Sequence, residues 1–197
     1  TVLSSLLAVP MGVLTAVYLT EIAHPTVRRV IKPFVELLAA LPSVVLGFLG
    51  MVVLAPFLQD FLDADTGLNL LNASLVLALM SVPTICSVSE DALFGVPRDL
   101  REASLALGAT RWQTIWGVTL PAARSGVLTA LMLGVCRAIG ETMAVMMVTG
   151  NAPIFSLSPA ALFMPVRTMT ATIASEMGEV ANGSTHYHVL FFIGIVL

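Results

Sequence analysis

Two charged residues stand four apart inside an otherwise apolar run, Cys136-Arg137-Ala138-Ile139-Gly140-Glu141-Thr142-Met143-Ala144-Val145. A charge near the centre of a bilayer is costly and is rarely kept without a partner or a task. On an unbroken helix Arg137 and Glu141 lie one turn apart on one face, so the plainest account is a structural pair that neutralises itself, although arginine before glutamate is the weaker orientation. The alternative is an anion site or gate near the midplane, where a planar guanidinium holds an oxyanion through two hydrogen bonds. Glu141 then supplies selectivity. A carboxylate can accept a hydrogen bond from an oxyanion that keeps a proton, whereas a fully ionised oxyanion meets only repulsion.

The remaining reactive residue types suggest no chemistry of their own. His186 and His188 flank Tyr187, and two positions apart on a helix they point to different faces, which disfavours a shared metal. The ten methionines, Met143, Met146 and Met147 among them, read as packing rather than a soft-metal path. Cys86 and Cys136 lie in apolar runs and read as small buried hydrophobes. A phosphate-cradling G-x-x-x-x-G-K-S/T loop needs a lysine, and the single one, Lys32, has no such context. The expectation is therefore a chain with no catalytic residue, metal or bound cofactor.

The elements that position Arg137 and Glu141 must be membrane helices. Over 197 residues the chain is 57% hydrophobic and 11% charged, with a mean hydropathy of +0.96, outside the range of soluble domains. A formal charge of -3 leaves no basic face for nucleic acid. Apolar stretches long enough to cross about 30 Å of hydrocarbon run near residues 1–22, 34–58, 68–88 and 124–149, and a fifth begins near 186. The reading is an all-α, polytopic bundle forming a single membrane domain over 1–197, a fragment with a helix cut or lost at each end.

Seven of the nine basic residues fall in two connections, Arg28, Arg29 and Lys32 in one and Arg98, Arg101, Arg111 and Arg124 in the other. Those two connections are predicted to be cytoplasmic. The others, with Asp60, Asp63 and Asp65 or with Arg167, Glu176 and Glu179, face outward. The outer segment 150–185 contains Ala160-Ala161-Leu162-Phe163-Met164-Pro165, too apolar for an open loop and too short to span, which suggests a re-entrant or interfacial piece. Prolines 10, 42, 83, 121 and 165 are expected to interrupt helices, and broken helices often line a substrate route.

The longest polar stretch, Glu90 to Gly108, carries the marks of a short capped helix. Pro97 suits a first helical position, Asp99 complements the N-terminal dipole, and Gly108 can take the left-handed conformation that ends the helix. Leu100, Ala103 and Leu107 then share one face. A second helix starts at once, with Thr110 and Gln113 in capping-box spacing and Trp112, Ile115 and Trp116 on an apolar side. It closes at Leu120-Pro121, so the region 90–121 is two short helices offered to the cytoplasm.

Glu102-Ala103-Ser104, then Gly108, then Val118, Leu120 and Pro121 resemble the EAA loop of ABC-importer permeases, the binding-protein-dependent transport inner-membrane components with the MetI-like fold. The resemblance implies that Arg98, Asp99, Arg101, Glu102, Ala103, Ser104, Leu107, Gly108, Leu120 and Pro121 form a coupling element seated in a groove of a separate ATPase subunit. Leu41-Pro42-Ser43-Val44-Val45, Pro83-Thr84 and the run from Gly140 through Gly150-Asn151 are further similar to phosphate-importer permeases, PstC-type more than PstA-type. By that likeness Arg137, Glu141, Thr142, Pro42 and Ser43 line the substrate path. The implied partners are a second, PstA-like permease, two PstB-like ATPase subunits, an extracytoplasmic PstS-like phosphate-binding protein and membrane lipid, in the inner membrane of a prokaryote. Import of molybdate, sulfate or phosphonate is the alternative within the class. An ion-driven secondary carrier would also hold intramembrane charges but has no use for the two-helix loop.

Overall fold

The computed structural model describes residues 1–153 and 159–197, and almost all of them are helical. Helix α1 (Val2–Val17) continues as a π-turn over Tyr18–Ile22. Helix α2 covers Pro25–Ala40, and α3 (Ser43–Leu49) passes through a second π-turn, Gly50–Leu54, into α4 (Ala55–Leu62). Asp63, in the left-handed conformation at φ 50°, ends α4. Helix α5 runs for 25 residues, Leu70–Phe94, and Asn69 Oδ1 accepts from the Asn72 amide at 2.9 Å to cap its start.

Helices α6 (Arg98–Ala106), α7 (Arg111–Thr114), a π-turn at Ile115–Thr119 and α8 (Leu120–Ala122) make the polar connection. Helix α9 (Arg124–Gly140) and α10 (Met143–Val148) follow, then a 3-10 turn at Pro159–Phe163, α11 (Met169–Glu176) and α12 (Thr185–Val196). Part of the outer segment 150–185, residues 154–158, lies outside the described residues.

Among the described residues three helices are long and apolar enough to span: Val2–Ile22, Ser43–Leu62 and Leu70–Phe94. A fourth candidate is the pair Arg111–Ala122 and Arg124–Gly140, bent by 72°. Large apolar side chains such as Leu6, Phe61, Leu79 and Met132 are exposed along these helices, a surface that a soluble monomer would not present to water.

Contacts divide the chain into two units. The first comprises Thr1–Ser4, Leu41–Ala78 and Arg137–Leu197. Its helices α3 and α10 lie unusually close, since a Cβ added at Gly47 would sit 2.7 Å from the Ala144 Cα and one at Gly50 2.7 Å from a Val148 methyl. The Asn72 amide ties this packing together, donating 3.0 Å bonds to the carbonyls of Gly50 and Gly67. The second unit comprises Ser5–Ala40 and Leu79–Cys136. Ala16, Val17, Leu19, Cys86, Leu93, Val96, Ile115 and Ala123 form its buried core.

Several expectations are corrected. The span expected over 34–58 does not exist as one helix: residues 34–40 belong to α2, the chain turns at Leu41-Pro42, and the spanning helix starts at Ser43. Pro42 has an extended ψ of 136°, and the residue before a proline is itself pushed out of the helical region. The span expected over 124–149 ends at Gly140, with Glu141 and Thr142 outside helix. Pro10 and Pro83, by contrast, sit within unbroken helices. Pro97 occupies the N-cap rather than the first helical position, and Cys136 is exposed rather than buried.

Candidate functional site

In the first unit, Arg137 and Glu141 do not form the one-face helical pair that their spacing suggests. Arg137 is the last-turn cation of α9, where it complements the helix C-terminus. Glu141 has already left the helix, and its Oε1 accepts from the Ala144 amide at 3.3 Å, capping α10 instead. No ion pair joins the two. Both are half-buried, and Arg137 Nε is buried without a hydrogen-bond partner among the described residues. A self-neutralising pair is therefore not how this protein carries these charges.

The break that separates them is stabilised by its own side chains. Thr142 Oγ1 donates to the Gly140 carbonyl at 3.3 Å, and Thr170 Oγ1, from the start of α11, donates to the Glu141 carbonyl at 3.3 Å. The close approaches of Gly47 to Ala144 and of Gly50 to Val148 define a parallel register for α3 and α10. Pro42, which is exposed, and Ser43, half-buried, lie at the start of α3, while Arg137, Glu141 and Thr142 lie at the break between α9 and α10.

A cavity of about 670 Å³ opens in the same unit, and Glu141 lines it together with Ser74, Thr149, Arg167, Thr168 and Thr170. Arg137 is not among its lining residues. The Thr149 hydroxyl is buried with no partner among the described residues. Arg167 reaches Glu176 at 2.5 Å and the Ser175 hydroxyl at 2.6 Å, and His186 Nε2 lies 2.7 Å from the other Glu176 oxygen. The hydrogen bond to His186, followed by the Arg167 charge, holds the Glu176 carboxyl below its ordinary range. Sequence reasoning missed these polar lining residues, although Thr168, Thr170 and Thr172 form a visible polar cluster in an apolar stretch.

In the second unit, the two-helix loop is built as its local signals suggest. Gly108 has φ +89° and closes α6, while Thr110 and Gln113 make a reciprocal capping box at the start of α7. The Ser104 and Thr114 hydroxyls lie 3.0 Å apart and join the two short helices. Trp112 and Trp116 meet edge to face at 5.7 Å on the exposed side. Arg98, Asp99, Glu102 and Ala103 are exposed, as is Pro121, and Leu120 is half-buried. Leu100 is 46% exposed and Leu107 89% exposed, so the apolar edge of α6 is largely uncovered by the described residues.

Arg101 differs from its neighbours. Its guanidinium turns inward, donating to the Leu93 carbonyl at 2.7 Å and lying 2.9 Å from Glu21 in an ion pair that lacks hydrogen-bond alignment. It anchors the loop to the ends of α1 and α5 rather than presenting itself for docking. The π-turn at Tyr18–Ile22 carries Glu21. A second tie, unseen in the sequence, centres on Glu90: its side chain is 2% exposed and meets Arg28 at 3.0 Å and Lys32 at 3.3 Å. Arg28 also stacks over the Phe94 ring, 4.0 Å from its centroid.

Apolar spanning helices and an anchored two-helix loop with an exposed apolar edge are the make-up of a multi-pass membrane protein. The chain belongs to the family described as binding-protein-dependent transport system inner membrane component, whose model matches residues 8–197, and it is accordingly a multi-pass protein of the inner membrane. It is 46% identical over its whole length to the probable ABC transporter permease protein YqgH of Bacillus subtilis, covering 63% of that relative. It is 38% identical to the phosphate transport system permease protein PstC of Mesorhizobium japonicum over 98% of the chain and 63% of the relative. The PstC of Pasteurella multocida is 37% identical over 99% of the chain and 65% of the relative. The chain thus spans less than two thirds of the length of these relatives. Its fold is that of the membrane subunit in an inward-facing MetNI methionine ABC transporter structure, with a TM-score of 0.64 at 23% identity over 99% of this chain and 81% of that one.

Proposed function

We propose that the chain is the membrane-spanning core of a permease in an ATP-binding-cassette importer, and that its substrate is inorganic phosphate. The observation that carries the first part is the uncovered α6 edge, rigidly held by Arg101 and ended by Gly108: a helix fixed at its base and apolar at its tip suits a groove on an ATPase subunit. The phosphate transport named for the PstC relatives supports the second part.

The chemistry proposed for the site assigns each residue a task. Arg137, whose Nε lacks a partner, supplies the positive charge and the planar donor fork at the breach between α9 and α10. Glu141 accepts from the proton that hydrogen phosphate retains, and this same carboxylate repels sulfate. Thr142 and Ser43 offer hydroxyls at the two helix breaks, and Pro42 keeps the second break open. The partners of this reading are a PstA-like second permease, two PstB-like ATPase subunits carrying ATP and magnesium, and a PstS-like binding protein outside.

The test is phosphate uptake per assembled complex. Uptake should stop on ATP depletion, survive an uncoupler, be lost in Arg137→Gln and be only partly kept in Arg137→Lys, which retains charge without the fork. Glu141→Gln should admit sulfate as a competitor. Uptake that collapses with the uncoupler while ATP remains would replace the importer with an ion-driven carrier, and full uptake by Arg137→Gln would remove the substrate role.

A further inference from the structure

Helix α2 has three faces. Ile31 and Val35 pack on the buried core of the second unit. Val27, Val30, Phe34 and Leu37 form an exposed apolar stripe at i, i+3, i+7 and i+10. Arg28, Arg29, Lys32 and Glu36 occupy the third face, where with Leu19, Thr20 and Ala23 they line an open groove of about 590 Å³. The apolar arc and the basic arc are contiguous around the helix, the pattern of a helix lying in the membrane interface rather than crossing it. The bias of basic residues sets that interface on the cytoplasmic side.

The charges in the groove do not balance. Glu90 takes part of the charge of Arg28 and Lys32, and Glu36 lines the groove, so three cations face two carboxylates and one positive charge is left. Arg29 carries it: its side chain is exposed, and it makes no ion pair with any described residue. One phosphodiester would close the balance, and the apolar stripe beside it is placed for acyl chains.

We propose that this groove is a site for the headgroup of one anionic phospholipid of the inner leaflet, with Arg29 as the residue that selects charge and the Phe34–Leu37 stripe in contact with the chains. Arg28 and Lys32 shape the groove but are committed to Glu90, so their substitution would uncover a buried carboxylate. Arg29 can be changed without that penalty. The site lies on a different helix and in a different unit from the residues proposed for transport, and it stands whatever the substrate is.

The full-length permease complex, stripped of lipid in neutral detergent, would be titrated with phosphatidylglycerol or phosphatidylcholine and read by native mass spectrometry. One phosphatidylglycerol should be retained per chain in preference to phosphatidylcholine. Arg29→Ala should weaken phosphatidylglycerol about fivefold, in line with one basic residue at an anionic surface, leave phosphatidylcholine unchanged and leave the melting temperature in neutral detergent unchanged. Arg29→Lys should keep most of the preference, and Phe34→Ser with Leu37→Ser should weaken both lipids. Equal retention of the two lipids, wild-type behaviour of Arg29→Ala, or displacement of phosphatidylglycerol by millimolar inorganic phosphate would each overturn the proposal, the last by making the groove a free-anion site.

Discussion

The Glu21–Arg101 contact joins the docking loop to the spans, and its size can be worked from its geometry. The charges lie 2.9 Å apart with side chains 14% and 20% exposed. At an effective dielectric of about 20, appropriate to a pair of intermediate burial, the gross attraction is about 6 kcal/mol, and desolvating both groups removes most of it. A coupling of about 1–2 kcal/mol is left, above the range of fully exposed pairs. Arg101→Gln loses the ion pair and also the charged bond to the Leu93 carbonyl at 2.7 Å, so it should cost about 2–3 kcal/mol. Glu21→Gln leaves Arg101 its carbonyl and should cost about 1–2 kcal/mol. Because each single change strands a charge, the double Gln variant should cost no more than Arg101→Gln alone. The measurement is a double-mutant cycle on unfolding in mild detergent, paired with uptake per ATP hydrolysed in the assembled complex. The stability loss should come with ATP hydrolysis that continues while uptake per ATP falls. Additive costs within about 0.5 kcal/mol would show that the two groups do not interact and refute the reasoning.

Gly108 has a left-handed backbone and no atom within 4 Å of an added Cβ, so Gly108→Val should cost about 1–2 kcal/mol by strain alone and Gly108→Asn clearly less, read as loss of ATPase coupling in the complex. Gly47→Ala drives a Cβ to 2.7 Å from the Ala144 Cα whereas the same change at Gly117 meets nothing; the first should lower stability by about 1–3 kcal/mol and the second should not lower it, as melting temperatures will report. Glu176 titrates below its ordinary value, so its contribution is fully present above the unfolded carboxyl value and is lost as pH falls through the depressed one; hydrogen exchange in α11 should accelerate on acidification, and a Glu176→Gln variant with the same acid response would exclude this carboxyl as its source. Single cysteines near Asp63 and near Arg101 should label from opposite sides of the membrane, and labelling from one side would end the topology.

The docking loop was legible because its determinants are local. A left-handed glycine and a Thr110–Gln113 box act within four residues and need no tertiary partner, and both stand where the spacing puts them. The helix breaks were not legible from residue type, since Pro10 and Pro83 continue in helix while Pro42 does not. Whether a proline ends a membrane helix depends on what satisfies the carbonyls that it frees, and that is supplied by neighbours distant in sequence. The same holds for Glu90, whose partner Arg28 is 62 residues away. Periodicity carries no information about such a pair. Arg101 shows the converse limit: the motif marks it as part of the loop, but only the fold shows it turned inward to Glu21 and Leu93.

The separation of Arg137 from Glu141 bears on how a charge can be held at membrane depth. On a continuous helix the two would face each other and neutralise, leaving little field for a substrate. The interruption at Glu141-Thr142 instead commits the carboxylate oxygen to the Ala144 amide and leaves the guanidinium Nε without a partner among the described residues. Such an interruption exposes backbone groups that lipid could not satisfy. Here Thr142 and Thr170 hydroxyls take up the Gly140 and Glu141 carbonyls. The close packing at Gly47 and Gly50 holds α3 and the turn that follows it against α10, the helix that starts at this interruption. The α3–α10 seam thus begins at a break whose freed carbonyls are met by hydroxyls rather than left to lipid. A larger side chain at position 47 would push the seam apart without altering any charge, so transport should prove sensitive to Gly47 even though that residue offers the substrate no functional group.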